Sequence, residues 1–116
     1  VMSVMGKYDN AIKLHTSALA IREAVFGPAH QDVAISLNNM GCVILAKGDY
    51  VRALELFKRA LEINESTVGV HHLATGTTVN NMGRVRVIEK DYVAASKLFR
   101  RGLRIYEYHL GADHPE

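Results

Sequence analysis

Apolar side chains recur at intervals of three and four residues along most of the chain, which is the spacing of an amphipathic helix. The pattern predicts five helices, over residues 8–26, 32–46, 50–67, 73–89 and 91–109. Gly27, Gly48 and Gly69 end three of them, and Asp49 stands where its carboxylate can cap the third helix. No stretch alternates apolar and polar residues between turn signals, so the chain should be all-α.

The predicted helices belong to a unit that recurs every 42 residues, as the spacing of Tyr8, Tyr50 and Tyr92 shows. Seven further registers hold the same residue in all three copies, starting from Ala11, Leu14, Leu19, Ile21, Glu23, Gly27 and His30. In addition, the Asn-Asn-Met-Gly segment at 38–41 returns at 80–83. Periods of roughly 20 to 50 residues are typical of repeat arrays, in which each unit stacks on its neighbours.

This period predicts one domain, a solenoid of antiparallel helix pairs. The expected units are a partial repeat and two complete repeats, over residues 1–30, 31–72 and 73–114. Residues 1–5 should form the tail of a helix whose beginning is absent. Gly41 and Gly83, on the first helix of each pair, should face alanines of the second helix such as Ala53, so that the two helices pack closely.

Composition and charge narrow the classes of function. With 48% apolar and 22% charged residues, the chain should fold as a soluble domain, and no apolar run approaches the roughly 20 residues that span a bilayer. The net charge of +2 is too small to indicate nucleic-acid binding, which requires a basic face. The single Cys42 fits a reducing, cytoplasmic setting. We therefore expect neither a nucleic-acid nor a membrane partner.

Three histidines, His30, His72 and His114, share one register and raise the question of a metal site. Equivalent residues of stacked helix pairs lie about 10 Å or more apart, whereas zinc ligands lie about 2 Å from the metal. We therefore expect loop or cap residues here and no metal site. The chain has neither a glycine-rich phosphate loop nor a nucleophile and base in a recognised motif, so neither catalysis nor a cofactor is expected.

Small residues at Gly41, Ala53 and Ala60, with Phe57 between the alanines, resemble the signature of the tetratricopeptide repeat. Longer segments are similar to the repeats of kinesin light chains and their relatives, namely LNN at 37–39, GDYVRA at 48–53 and ALEINE at 60–65. The resemblance extends over essentially the whole chain. It implies a right-handed superhelix of helix pairs, whose first helices line a concave groove that holds extended peptides.

The resemblance also implies that Asn39 and Asn81 contact the backbone of a bound peptide. A carboxamide suits that role because it donates and accepts hydrogen bonds together. Asn38 and Asn80 are neighbours on the same helices and are candidates to contribute. The alternative is structural, since paired asparagines can also bond between adjacent helices and fix the register of stacked pairs.

The family's groove further takes an arginine from near the end of the second helix of a pair. Arg22 matches that position, whereas Asn64 and Tyr106 replace it in the later copies. Arg84 lies one helical turn from Asn81 and should share its face. The basic character expected of a groove for acidic peptides is thus reduced. The predicted groove residues are Arg22, Asn38, Asn39, Asn80, Asn81 and Arg84.

The sequence therefore predicts a non-catalytic scaffold that binds a peptide or protein partner in a concave groove. A rival interpretation is a structural spacer or self-association segment of a longer repeat array, which would form a homo-oligomer through exposed array ends. Catalysis would require further domains outside this sequence.

Overall fold

Five α-helices joined by short turns make up the part of the chain that the computed structural model describes, residues 4–111, with side chains described for residues 6–110. The helices are α1 (Val4–Phe26), α2 (Gln31–Lys47), α3 (Tyr50–Thr67), α4 (Leu73–Ile88) and α5 (Tyr92–Gly111). Residues 4–111 contain no strand, so the all-α prediction is confirmed. His114, the last repeat boundary and residues 1–3 lie outside the described residues.

The helices stack in chain order. The first helix of each complete pair packs on the second, α2 on α3 and α4 on α5, and each second helix packs on the next first helix. This arrangement gives an elongated body of 55 × 37 × 22 Å rather than a sphere. The core follows the stack, and its largest fully buried side chain is Phe57.

Histidine caps begin both first helices, as the sequence predicts for loop or cap positions. His30 Nδ1 accepts a hydrogen bond from the Asp32 backbone N–H at 3.0 Å, and His72 Nδ1 accepts one from Ala74 at 3.0 Å. Each bond satisfies a donor that the first turn of a helix leaves free. Asp49 caps α3 in the same manner, with its carboxylate 3.2 Å from the Arg52 backbone nitrogen.

The start of α1 differs from the prediction of a separate helix tail. Gly48 ends α2 in the left-handed conformation, at φ 102°, and Asp49 then caps α3. Gly6 stands in the register of Gly48, yet α1 runs through it without a break. The next residue here is Lys7, which offers no acceptor to cap a new helix, so the continuous helix prevails over the predicted break.

Close packing within each pair depends on glycine, although the partner differs from the predicted alanine. A Cβ at Gly41 would lie 2.6 Å from Phe57 Cε1, and one at Gly83 would lie 2.8 Å from Phe99 Cε1. The glycines of the first helices therefore make room for an aromatic ring of the second helices. Ala53 and Ala60, which precede and follow Phe57 in the sequence, are fully buried as well.

Ion pairs between second helices repeat with the 42-residue period. Glu23 of α1 lies 3.5 Å from Arg59 of α3, and Glu65 of α3 pairs with Arg101 of α5. The repeated glutamate thus links the second helices of successive repeats. Half-exposed pairs of this kind contribute little stability individually, about 0–1 kcal/mol each.

Candidate functional site

The two first helices, α2 and α4, lie side by side and enclose a depression of about 160 Å³. Its lining comes from α2 and α4, with one residue of α3, and comprises Ala34, Ile35, Asn38, Asn64, Ala74, Thr77 and Thr78. We call the surface of α2 and α4 around this depression the groove. It has no charged residue in its lining, and its polar side chains are those of Asn38, Asn64, Thr77 and Thr78.

Three predicted site residues form one hydrogen-bonded chain across the groove. Arg84 Nη1 donates to Asn81 Oδ1 at 3.2 Å, and Asn81 Nδ2 donates to Asn38 Oδ1 at 3.0 Å. Asn81 is buried, at 8% exposure, and both ends of its carboxamide are engaged. These hydrogen bonds join successive repeats, as expected if the asparagines bond between adjacent helices. They also hold the guanidinium of Arg84 at the surface of the groove.

The other two asparagines lie in different surroundings. Asn39 is exposed on α2, and its carboxamide has no hydrogen-bond partner among the described side chains. Asn80 packs against α5 at Gly102, where a Cβ would collide with its side-chain oxygen. The equivalent asparagines of the two repeats therefore have different surroundings. Asn38 and Asn81 bond to each other, Asn39 is exposed and Asn80 packs on α5.

Arg22 fastens α1 to α2. Its Nη1 donates to the Ser36 hydroxyl at 2.7 Å and to the Asp32 carbonyl at 3.3 Å. Asn64 makes the equivalent bonds one repeat later, from Nδ2 to the Thr78 hydroxyl at 3.3 Å and to the Ala74 carbonyl at 3.4 Å. This register thus joins each second helix to the following first helix, and the partners of both residues stand 42 positions apart.

Replacing arginine by asparagine in this register leaves an unpaired acceptor. Asn64 Oδ1 is buried without a hydrogen-bond partner in the described part of the chain. Arginine carries only donors, whereas asparagine adds a carbonyl that an acceptor such as the Ala74 carbonyl cannot satisfy. Tyr106, the third residue of the register, instead brings its hydroxyl 3.2 Å from Thr77 within its own pair.

The interacting partners Ser36 and Thr78 were not predicted from the sequence. Their signal was available, since two hydroxyl residues recur at the 42-residue period on the first helices. The period alone does not show that each hydroxyl accepts a hydrogen bond from a side chain of the preceding second helix. Both hydroxyl residues are buried and fix the relative position of the repeats.

Cys42 lies one turn after Asn39 and is partly buried. Burial raises the pKa of its thiol above the ordinary value, and the nearby Arg84 guanidinium opposes part of that rise. The thiol is therefore protonated and weakly nucleophilic at neutral pH. Among residues 4–111, no group of three histidine, cysteine or acidic side chains is arranged to hold a metal ion. None of the described helices is both long and apolar enough to cross a membrane.

Comparison with known proteins identifies this architecture. The family model for the tetratricopeptide repeat matches residues 1–66 and 43–107. The crystal structure of BtubC (BKLC) from P. vanneervenii, a kinesin light chain-like protein, is similar over 95% of this chain with a TM-score of 0.82 and 25% sequence identity. The chain spans 44% of the length of that protein. Comparison with curated protein sequences gives no match.

Proposed function

Because this chain belongs to the tetratricopeptide repeat family, in its kinesin light chain-like form, we propose that it binds an extended peptide of a partner protein in the groove between α2 and α4. Proteins of this family generally act as non-catalytic scaffolds for protein–protein interactions. The observation that supports a groove site is the uncharged depression between the two first helices, with the exposed Asn39 on one helix and the exposed Arg84, which Asn81 holds, on the other.

Each polar side chain has a defined part in the proposed complex. Asn39 is unpaired and can donate to and accept from one peptide group of the ligand. Asn81 keeps its bond to Asn38 and acts by holding Arg84, whose remaining donors face solvent. Ile35, which is exposed on the wall of the depression, offers apolar contact to a side chain of the peptide.

Recognition should depend more on the peptide backbone than on acidic side chains. Arg22 is engaged with α2, and asparagine replaces it in the next repeat. Arg84 therefore carries the positive charge of the groove, and one exposed ion pair contributes about 0.2–1 kcal/mol. We propose that acidic residues improve binding modestly and that a peptide without them still binds.

Peptide selection followed by affinity measurement tests this proposal. A random peptide display library is selected on the chain, and the recovered peptide is titrated into the parent and into the variants Asn39→Ala and Arg84→Ala. Each loss should weaken binding about fivefold, since a hydrogen bond contributes about 1 kcal/mol. Lys58→Ala, an exposed change on α3, is the matched control and should bind as the parent does. Equal affinity for all four proteins would contradict groove binding.

A spacer or self-association segment is the second candidate, and one exposed face favours it. Ile21 of α1 is 64% exposed, whereas Ile63 and Ile105 of the same register are 6% and 2% exposed in the complete pairs. Leu14 and Val25 extend this exposed apolar face along α1. Sedimentation velocity at several concentrations tests self-association: a concentration-dependent dimer would favour it, and a monomer throughout would count against it.

The cellular setting is a further proposal. Cys42 is the single cysteine of the chain, and we propose a reducing, cytoplasmic location. Fractionation of cells that produce the protein tests it, and recovery from an oxidising compartment would contradict it.

A further inference from the structure

Both first helices begin with a cap that only a neutral imidazole can make. The Nδ1 atom of His72 accepts the Ala74 backbone N–H at 3.0 Å. His30 accepts the Asp32 backbone N–H in the same way on α2. In a protonated histidine both ring nitrogens carry hydrogen, so neither can accept, and the added charge faces the positive end of the helix dipole. Because histidine changes charge between about pH 5 and 8, mild acid acts on these caps.

The cap of α2 has a replacement in acid. An oxygen of the Asp32 carboxylate lies 4.0 Å from His30 Nδ1. A protonated His30 can donate to that carboxylate, so the first turn of α2 gains a charged hydrogen bond when the neutral cap is lost. The ring that stacks on His30, with centroids 4.5 Å apart, is the uncharged Phe26. The start of α2 is therefore protected against mild acid.

The start of α4 has no such replacement. Ala74 stands in the register of Asp32, and the first turn of α4 contains no acidic residue. His72 lies in a shallow site of about 420 Å³, whose other lining residues are Val68, Gly69, Val70, His71, Tyr108 and His109. No carboxylate is among them, so nothing in this lining can pair with a protonated His72.

Two further imidazoles lie beside His72. The ring of His109, from α5, meets the ring of His72 edge-on, with centroids 6.2 Å apart. Nε2 of His109 donates to the His71 carbonyl at 2.5 Å, and this bond is kept when Nδ1 of His109 takes a proton. His71 itself stacks on Tyr108 in the turn before α4. Acid therefore brings like charges together at the start of α4, where the helix dipole already opposes them.

We propose that the start of α4 is an acid-sensitive switch. Protonation of His72 removes the cap, charge on the neighbouring imidazoles opposes its return, and residues 73–77 unwind while the start of α2 stays closed. Ala74 and Thr77 belong to the lining of the groove, so its α4 wall loosens in acid. This last consequence rests on the peptide binding proposed above, whereas the unwinding does not.

Thermal unfolding of the full chain at pH 7.5 and pH 5 tests the switch. The variant His72→Asn keeps a side chain that caps a helix and that takes no proton in this range. Between the two pH values the Tm of the parent should fall by about 4 °C more than that of the variant, the shift expected for one helix cap in a domain of this size. Comparing the two falls removes the contribution of the other titrating groups, which both proteins share.

Two matched variants test the role of the carboxylate. His30→Asn makes the same change on α2, where Asp32 is present, and its Tm should fall in acid by as much as that of the parent. Ala74→Asp gives α4 the residue that α2 carries, and it should remove most of the acid-dependent loss. Circular dichroism at pH 7.5 confirms that each variant is folded.

Nuclear magnetic resonance locates the change and separates it from peptide binding. At pH 5 the Cα shifts of residues 73–77 should lose their helical character in the parent, whereas those of residues 31–35 should keep it. A selected peptide without ionisable side chains should bind the parent about threefold more weakly at pH 5, because apparent affinity scales with the fraction of molecules whose groove wall is formed. It should bind His72→Asn equally at both pH values.

Three results would overturn the switch. One is an equal fall of Tm in the parent and in His72→Asn, which would show that the cap does not carry the pH dependence. Another is a helical start of α4 at pH 5. The third is that His30→Asn resists acid as well as His72→Asn does, which would remove the role of Asp32. Unchanged peptide affinity despite unwinding of residues 73–77 would contradict only the effect on the groove.

Discussion

Replacing glycine by alanine at two equivalent positions separates packing from helix propensity. Gly41→Ala and Gly83→Ala are the same change on the first helix of successive pairs, and each gains up to about 1 kcal/mol of helix propensity. The new Cβ at Gly41 would lie 2.6 Å from the Phe57 ring, about 1 Å inside the usual contact distance. At Gly83 the corresponding distance to the Phe99 ring is 2.8 Å.

The two rings differ in their freedom to move. Phe57 is fully buried, so its ring cannot move aside into solvent. Overpacking at Gly41 should therefore lower the free energy of unfolding by about 1–3 kcal/mol and outweigh the gain in helix propensity. Phe99 is partly exposed and can tilt toward solvent, so the Gly83 change should be close to neutral. The expected difference between the variants is about 1–2 kcal/mol, in favour of Gly83→Ala.

Urea unfolding followed by circular dichroism at 222 nm measures this difference, provided that both variants unfold with the slope of the parent. Only the comparison is needed, because the propensity gain is common to both and cancels. A Gly83→Ala variant as unstable as Gly41→Ala would refute the reasoning, since it would show that ring burial does not decide the cost.

Three further predictions concern the site and its supports. Asn81→Ala should lower the free energy of unfolding by about 1–3 kcal/mol, since it leaves buried groups unpaired, whereas Asn39→Ala should leave urea unfolding unchanged; equal effects would refute the assignment. His72→Ala should lower stability by about 1 kcal/mol through the lost cap, and His72→Asn should retain most of it; thermal unfolding measures both. The raised pKa of Cys42 predicts slow alkylation by iodoacetamide at pH 8 and still slower alkylation in Arg84→Ala, because the cation that favours the thiolate is gone. Faster alkylation in that variant would contradict this electrostatic coupling.

The raised pKa of Cys42 also makes the stability of the fold depend on pH. Burial favours the protonated thiol, so the folded-state pKa of Cys42 lies above its unfolded value. The contribution of the protonated thiol to the free energy of unfolding is fully present below the unfolded-state pKa and is lost as pH rises through the folded-state pKa. Cys42→Ser should therefore reduce the loss of stability on the alkaline side.

Much of the fold was readable from local signals, because turn and cap chemistry depends on few residues. Gly48 and Asp49 end one helix and begin the next within two positions, and the structure places both boundaries there. The helix break expected after residue 5 failed for the same reason, since Lys7 lacks the acceptor that Asp49 provides. Glycine does not mark every helix end, however. Lys90, in the register of Gly48, also takes the left-handed conformation, at φ 64°.

The candidate site was less predictable, because periodicity gives the register of a residue and not its partner. Asn39 and Asn81 share one register, yet one is exposed and the other is held between Asn38 and Arg84. The difference arises because Asn81 has a preceding first helix beside it, whereas the described residues place none beside Asn39. Arg22 matched a groove position by resemblance and proved to bond to Ser36, a contact that depends on the stacking of α1 on α2.

Nuclear magnetic resonance mapping of a selected peptide tests the central claim most directly. With the peptide chosen on the full chain, backbone and side-chain amide signals are followed during titration. We expect the largest shifts on α2 and α4, including the side-chain amide of Asn39 and the guanidinium of Arg84. Shifts confined to α1, α3 or α5, with the Asn39 signal unmoved at saturation, would contradict groove binding.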